Sequence, residues 1–244
     1  MKLVVLDCRG RLANQVLCYA NARYVLAELG LTDRTIVINY SMPPNCVRFP
    51  GAIVQAMDTS NLPTVSRYDV ANHEEDVLWN WTDVYSNFPP AATMKRIIQS
   101  IELEDSFADQ IKRTINGDNM VGIHARFGDY VKVDEANPPD PLPPFVRAHN
   151  AYFLNAMALC RDIIPDVKFF LASNGTSQEL EFLTGNKDVT SGWSEALFDL
   201  FALSQCRLII GSASTFSSVA ADYGDVPLIL PTMFEEEIRN LISA

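Results

Sequence analysis

Basic side chains are scarce in the second half of this chain. Residues 117–244 carry 8 of them against 17 acidic ones, a net of −9, while residues 1–116 carry 11 against 13, a net of −2. No stripe of Lys and Arg runs along any segment, which excludes sustained binding to a nucleic-acid backbone. No apolar run approaches the roughly 18 residues of a membrane span. At the N-terminus, Met1-Lys2-Leu3-Val4-Val5-Leu6 is followed by Asp7, an acid where a signal peptide would stay apolar. The expectation is a soluble, cytoplasmic chain that starts directly in a strand. The five cysteines (Cys8, Cys18, Cys46, Cys160, Cys206) form no CxxC pair and no Cys/His cluster of zinc spacing. A disulfide framework is therefore not expected, and a reducing compartment is. Low-complexity segments and short repeats are missing too. With 48% hydrophobic and 20% charged residues, the composition is that of a globular protein.

What is present alternates between strand and helix patterns. Lys2–Leu6 is a short apolar run, and 14–29 has apolar residues at helical spacing before Gly30. Arg34–Asn39 reads as a strand. Residues 41–90 are irregular and rich in proline and aromatics, and 92–115 reads as one helix ended by Asn116-Gly117-Asp118. A second cycle follows: strand 120–124, a Pro- and Asp-rich loop over 131–145, helix 146–164, strand 167–172, helix 195–204, strand 207–210, helix 214–223 and strand 227–230. Such alternation predicts an α/β fold with parallel sheets. The break near Asn116 predicts two α/β halves, 1–116 and 117–244.

Three strand-to-helix junctions carry polar groups. Gly10-Arg11-Leu12-Ala13-Asn14-Gln15 places Asn14 at a helix start, where it either caps the helix or meets an anionic or polar ligand. His124-Ala125-Arg126-Phe127-Gly128-Asp129-Tyr130 packs a His, an Arg and an Asp at the carboxyl end of a strand, where open α/β sheets bind ligands. Arg126 there either clamps a phosphate with its planar fork or pairs with Asp129, and His124 is either functional or a satisfied buried residue. Ser212-Ala213-Ser214-Thr215-Phe216-Ser217-Ser218 offers hydroxyls at a helix N-terminus, as a phosphate cradle or as an ordinary cap.

Taken together and in this order, the three segments, with 199–210 before the last of them, resemble the GDP-fucose-dependent fucosyltransferases. That superfamily spans α1,2-, α1,6- and protein O-fucosyltransferases. The likeness covers most of the chain outside about 40–115. It implies a GT-B-like architecture of two Rossmann-like halves with parallel sheets facing a cleft, acceptor side first and donor side second. It implies an inverting, metal-independent transfer of fucose from GDP-fucose to a hydroxyl of a glycan or protein, with no cofactor. The lack of an Asp-x-Asp motif agrees with that, since such motifs hold a divalent ion on the phosphates. By the same resemblance Arg126 binds the diphosphate, His124 lines the nucleotide site, Ser214, Thr215, Phe216 and Ser217 hold the diphosphate, and Asn14 faces the donor.

Two positions depart from the family pattern. Phe127 stands where a second arginine is common, which predicts weaker stabilisation of the leaving group. Asn174 stands where many members have an acid gripping guanine, which predicts weaker base selectivity. Asp134 and Glu135 are the candidate general bases, with Asp129 more structural in character. Trp79, Trp81, Tyr85 and Phe88 form an aromatic set that either stacks on acceptor sugars or packs the core. Two other readings follow from the departures: transfer of a different GDP-hexose, or a degenerate GDP-sugar- or glycan-binding protein.

Overall fold

A computed structural model describes residues 2–6, 12–39, 46–66, 69–79, 88–128 and 148–243. The chain divides into two compact units, 1–110 and 111–244.

The first unit contains β1 (Lys2–Leu6), α1 (Leu12–Glu28), β2 (Arg34–Ile38), β3 (Val47–Arg48), β4 (Ala52–Val54), β5 (Thr64–Val65) and β6 (Val77–Trp79). Five of these strands form a parallel sheet in the order β4-β2-β1-β6-β5. Val4, Val5, Val37 and Ile38 are buried, as expected for parallel strands covered on both faces. Trp79 closes β6 as a core residue, whereas Phe88 is exposed. Trp81 and Tyr85 lie outside the described residues.

The stretch read as one helix over 92–115 is two: α2 (Ala91–Gln99) and α3 (Asp105–Thr114), with β7 (Glu102–Leu103) between them. Ser100 ends α2 by turning its hydroxyl onto the Ile97 carbonyl. Ile101 is buried, and β7 pairs antiparallel with β3, where Arg48 and Glu102 form an ion pair. Apolar periodicity continues through the break, so the pattern alone does not reveal it.

The second unit holds β8 (Met120–Ala125), α4 (Asn150–Ile163), β9 (Lys168–Ser173), α5 (Ser177–Thr184), β10 (Val189–Ser191), α6 (Ala196–Leu203), β11 (Leu208–Gly211), α7 (Thr215–Gly224), β12 (Leu228–Ile229) and α8 (Glu235–Ser243). Its sheet is parallel, in the order β10-β9-β8-β11-β12. The direction of strand addition reverses between β8 and β11, the place where doubly wound sheets take their ligands. The α5, β10 and α8 segments have no counterpart in the sequence reading. Strand alternation sends Val121, Ile123 and Ala125 into one core with Phe153, Met157 and Cys160 of α4. Gly122 and His124 face the other side. A Cβ on Gly122 would meet the Leu203 side chain at 2.7 Å and the Cys206 Sγ at 3.3 Å, so glycine here leaves room for these two side chains against the sheet.

Burial pushes the Cys160 thiol up to about 12 and the Cys206 thiol up as well, which leaves both as unreactive core thiols. Cys46 is also free. Cys18, wholly buried on α1, is disulfide-bonded, contrary to the expectation from the scattered spacing. A pairing set by the fold leaves no fixed interval in the chain.

Candidate functional site

The exits of β8 and β11 meet through Ser212. Its backbone N–H donates to the His124 carbonyl at 2.9 Å, and its hydroxyl donates to the same carbonyl at 3.1 Å. The Ser212 oxygen in turn accepts the Arg126 backbone N–H at 2.9 Å. One serine thus fixes the backbone on both sides of Ala125, and with it the point from which the half-buried Arg126 side chain departs.

His124 is 4% exposed. Its Nδ1 lies 2.7 Å from the Ser217 hydroxyl and 3.3 Å from that of Ser214, and its ring stacks on Phe216 with centroids 4.7 Å apart. Ser217, wholly buried, also donates to the Ser212 carbonyl at 3.0 Å. Ser214 caps α7 by accepting the Ser217 N–H. Burial first, then the nearby Arg126 charge, pushes His124 down to about 3. The imidazole is therefore neutral at physiological pH and supplies hydrogen bonding and shape rather than charge. The cation of the cluster is Arg126, and the N-terminal end of α7 adds partial positive charge beside it.

Asn174 follows β9. Its side-chain oxygen accepts the Phe127 backbone N–H at 2.9 Å, and Ser173 donates to the Ala125 carbonyl at 2.6 Å. The β9 exit thus clamps the β8 exit. A side chain on Gly128, whose φ is +34°, would meet the Asn174 amide nitrogen at 2.6 Å. The Phe127 ring is 1% exposed and packs in the α4 core, 6.5 Å from Phe182. Position 127 points into the core, so a phenylalanine here serves packing.

The second unit thus brings His124, Arg126, Asn174, Ser214, Phe216 and Ser217 to one edge of one sheet, with Thr215 in the first turn of α7. Asn14 stands half-buried in the first turn of α1, in the first unit. Gly10, Asp129, Asp134 and Glu135 lie outside the described residues.

One group at this edge opens the 199–210 block of the sequence reading but has no site role there. Asp199 is 4% exposed on α6 and accepts the Trp193 backbone N–H at 3.1 Å. Burial pushes its carboxyl up to about 6, Glu195 adds to the rise, and the Trp193 and Ser194 N–H groups oppose it. A signal existed: one acid within Ala-Leu-Phe-Asp-Leu-Phe-Ala-Leu cannot find solvent on a helix buried this fully.

The family model for glycosyl transferase family 11 matches residues 91–233, more than half of the chain. Among solved structures, POFUT1 in complex with GDP-fucose matches with a TM-score of 0.64 at 13% identity, covering 96% of this chain and 98% of that one. A NodZ α-1,6-fucosyltransferase co-crystallised with GDP matches with a TM-score of 0.52 at 16% identity, covering 90% and 92%. The fucosyltransferase NodZ from Bradyrhizobium gives 0.50 at 15% identity, again covering 90% and 92%. These likenesses bear on the fold, which is the α/β fold of the GT-B class with two Rossmann-like units. No curated protein matches the chain. On the family match and this architecture, the chain belongs to glycosyl transferase family 11 and is a fucosyltransferase-like glycosyltransferase.

Proposed function

We propose that the protein transfers fucose from GDP-fucose to a hydroxyl of a glycan or protein acceptor, with inversion and without a metal ion. The second unit is the donor side and the first the acceptor side. The observation that carries this reading is the Ser212 junction, which holds Arg126 and the hydroxyls of Ser214 and Ser217 together at the switch point of the donor sheet. Solved structures of similar fold hold GDP or GDP-fucose, which supports the choice of donor.

In this reading the bond between fucose C1 and the β-phosphate oxygen breaks, and negative charge grows on the diphosphate. The Arg126 guanidinium, carried on backbone that Ser212 holds, and the N-terminal end of α7 in this reading meet that charge as it develops, which stabilises the transition state more than the ground state. Neutral His124, with Phe216 and Thr215, shapes the nucleotide pocket, and Asn14 is a further donor contact. The acceptor hydroxyl attacks from the opposite face as it gives up its proton. Asp134 and Glu135 are the proposed bases, and Asp129 braces the central motif.

The test is transfer from GDP-fucose in EDTA by the wild type and Arg126→Ala. Loss of turnover in a variant that melts like the wild type supports the reading. Unchanged turnover overturns the role of Arg126, and dependence on added metal overturns the metal-free mechanism.

A further inference from the structure

Two aromatic side chains of the second unit stand out in solvent among its described residues: Trp193, 49% exposed, and Phe234, 79% exposed. They differ in how they are held. Trp193 lies parallel to the buried Phe198 ring, with 4.0 Å between centroids and 3° between planes, so one indole face is covered and the other is open. Its backbone is fixed on three sides. The Gly192 N–H donates to the Leu171 carbonyl at 2.6 Å, the Trp193 N–H donates to Asp199, and Ser194 holds a φ of +59°. Gly192 is required here, because a Cβ would sit 2.5 Å from the Asp199 carboxylate oxygen. An exposed indole set on strained backbone around a buried carboxylate serves a ligand better than it serves stability.

Its place in the sheet selects the ligand. β10 ends at Ser191, in register with Leu171, and Trp193 follows two residues later, so it leaves the sheet at the carboxyl edge that also carries the Arg126 and Ser214 cluster. The β8 exit, which carries Arg126, lies two strands away from β10, about 10 Å at the usual strand spacing. A nucleoside reaches about that far from its phosphates. Between them, the Asn174 oxygen is already engaged by Phe127 and offers no broad apolar face.

We infer that Trp193 is the stacking platform for the purine base of the donor nucleotide, an affinity-determining residue placed by Asp199 and Phe198. The inference rests on the nucleotide-sugar reading above. Stacking recognises the ring system rather than its edge, so the platform contributes affinity to guanine and adenine alike.

The experiment is calorimetric titration of wild type, Trp193→Ala, Trp193→Phe and Phe234→Ala with GDP, ADP and inorganic pyrophosphate. Trp193→Ala is expected to weaken GDP and ADP at least tenfold and leave pyrophosphate unchanged. Trp193→Phe recovers most of the affinity, and Phe234→Ala matches the wild type. Equal GDP binding by wild type and Trp193→Ala overturns the platform while leaving the nucleotide-sugar reading intact. A parallel loss of pyrophosphate overturns it also, by showing general damage to the edge. A wild type that binds none of the three ligands overturns the nucleotide-sugar reading and this inference with it.

Discussion

The side-chain oxygen of Asn174 accepts the backbone N–H of Phe127 at 2.9 Å, which ties the two departures from the family pattern into one brace. Asn174 holds the chain directly after Arg126, and Phe127 anchors the same segment in the core. Removing the acceptor leaves a half-buried N–H unsatisfied. Asn174→Ala is expected to lose about 1–3 kcal/mol of stability, and Asn174→Asp much less because an acceptor remains. Denaturant midpoints check this, and equal losses in both variants would remove the brace from the account.

Restoring the family's second arginine at 127 is expected to harm the protein. The guanidinium would enter a core lined by Phe153, Phe182 and Leu180, where a buried unpaired charge is costly. Phe127→Arg should melt well below the wild type and show no gain in transfer, whereas Phe127→Leu should be milder. A stable Phe127→Arg with faster turnover would show that the side chain can turn toward the diphosphate.

Ser217 and Ser214 sit three residues apart and should differ under the same substitution. Ser217 bridges His124 and the Ser212 carbonyl inside the protein, so Ser217→Ala should cost about 1–3 kcal/mol and slow transfer. Ser214→Ala removes a helix cap, at about 1 kcal/mol. Thermal and denaturant melts of the pair would separate them, and an identical response would argue against the bridge.

Two buried groups pull stability in opposite directions with pH. His124 falls from its ordinary value of 6.5 to about 3 on folding, so between those limits the unfolded chain binds the extra proton. Its contribution is complete above 6.5 and fades at up to about 1.4 kcal/mol per unit as the pH drops. Asp199 rises from 3.8 to about 6, so its contribution is complete below 3.8 and is lost as the pH rises through 6. Relative to the wild type, His124→Gln should gain stability as the pH falls from 6.5 to 4.5, and Asp199→Asn should gain as it rises over 4–6. Midpoints at half-unit steps test both signs, and a flat difference for either variant removes that residue from the account.

The strand–helix alternation was legible because parallel strands buried on both faces read as short apolar runs, as at Lys2–Leu6 and Met120–Ala125. The polar cluster was legible because its members lie at strand exits, where the chemistry shows in residue type. Three features were hidden for physical reasons. The break at Ser100 interrupts no apolar period. Asp199 belongs to the edge only through the packing of α6. Trp193 follows β10, a strand of three residues, Val-Thr-Ser, too short to show a pattern.

The contact between His124 and Ser217 spans 93 positions, and the chain between them makes three crossovers, β8 to β9, β9 to β10 and β10 to β11, before it enters α7. Closing so long a loop costs chain entropy before any contact is made. On a ribosome, β8, α4 and β9 can associate while β11 is still unmade, yet they hold only the left half of the edge. The half that carries Ser212, Ser214 and Ser217 is completed when β11 adds on the right of β8 and α7 follows it. On the proposed function, catalytic competence is thus a late event of folding, and donor binding reports on completion of the whole second unit.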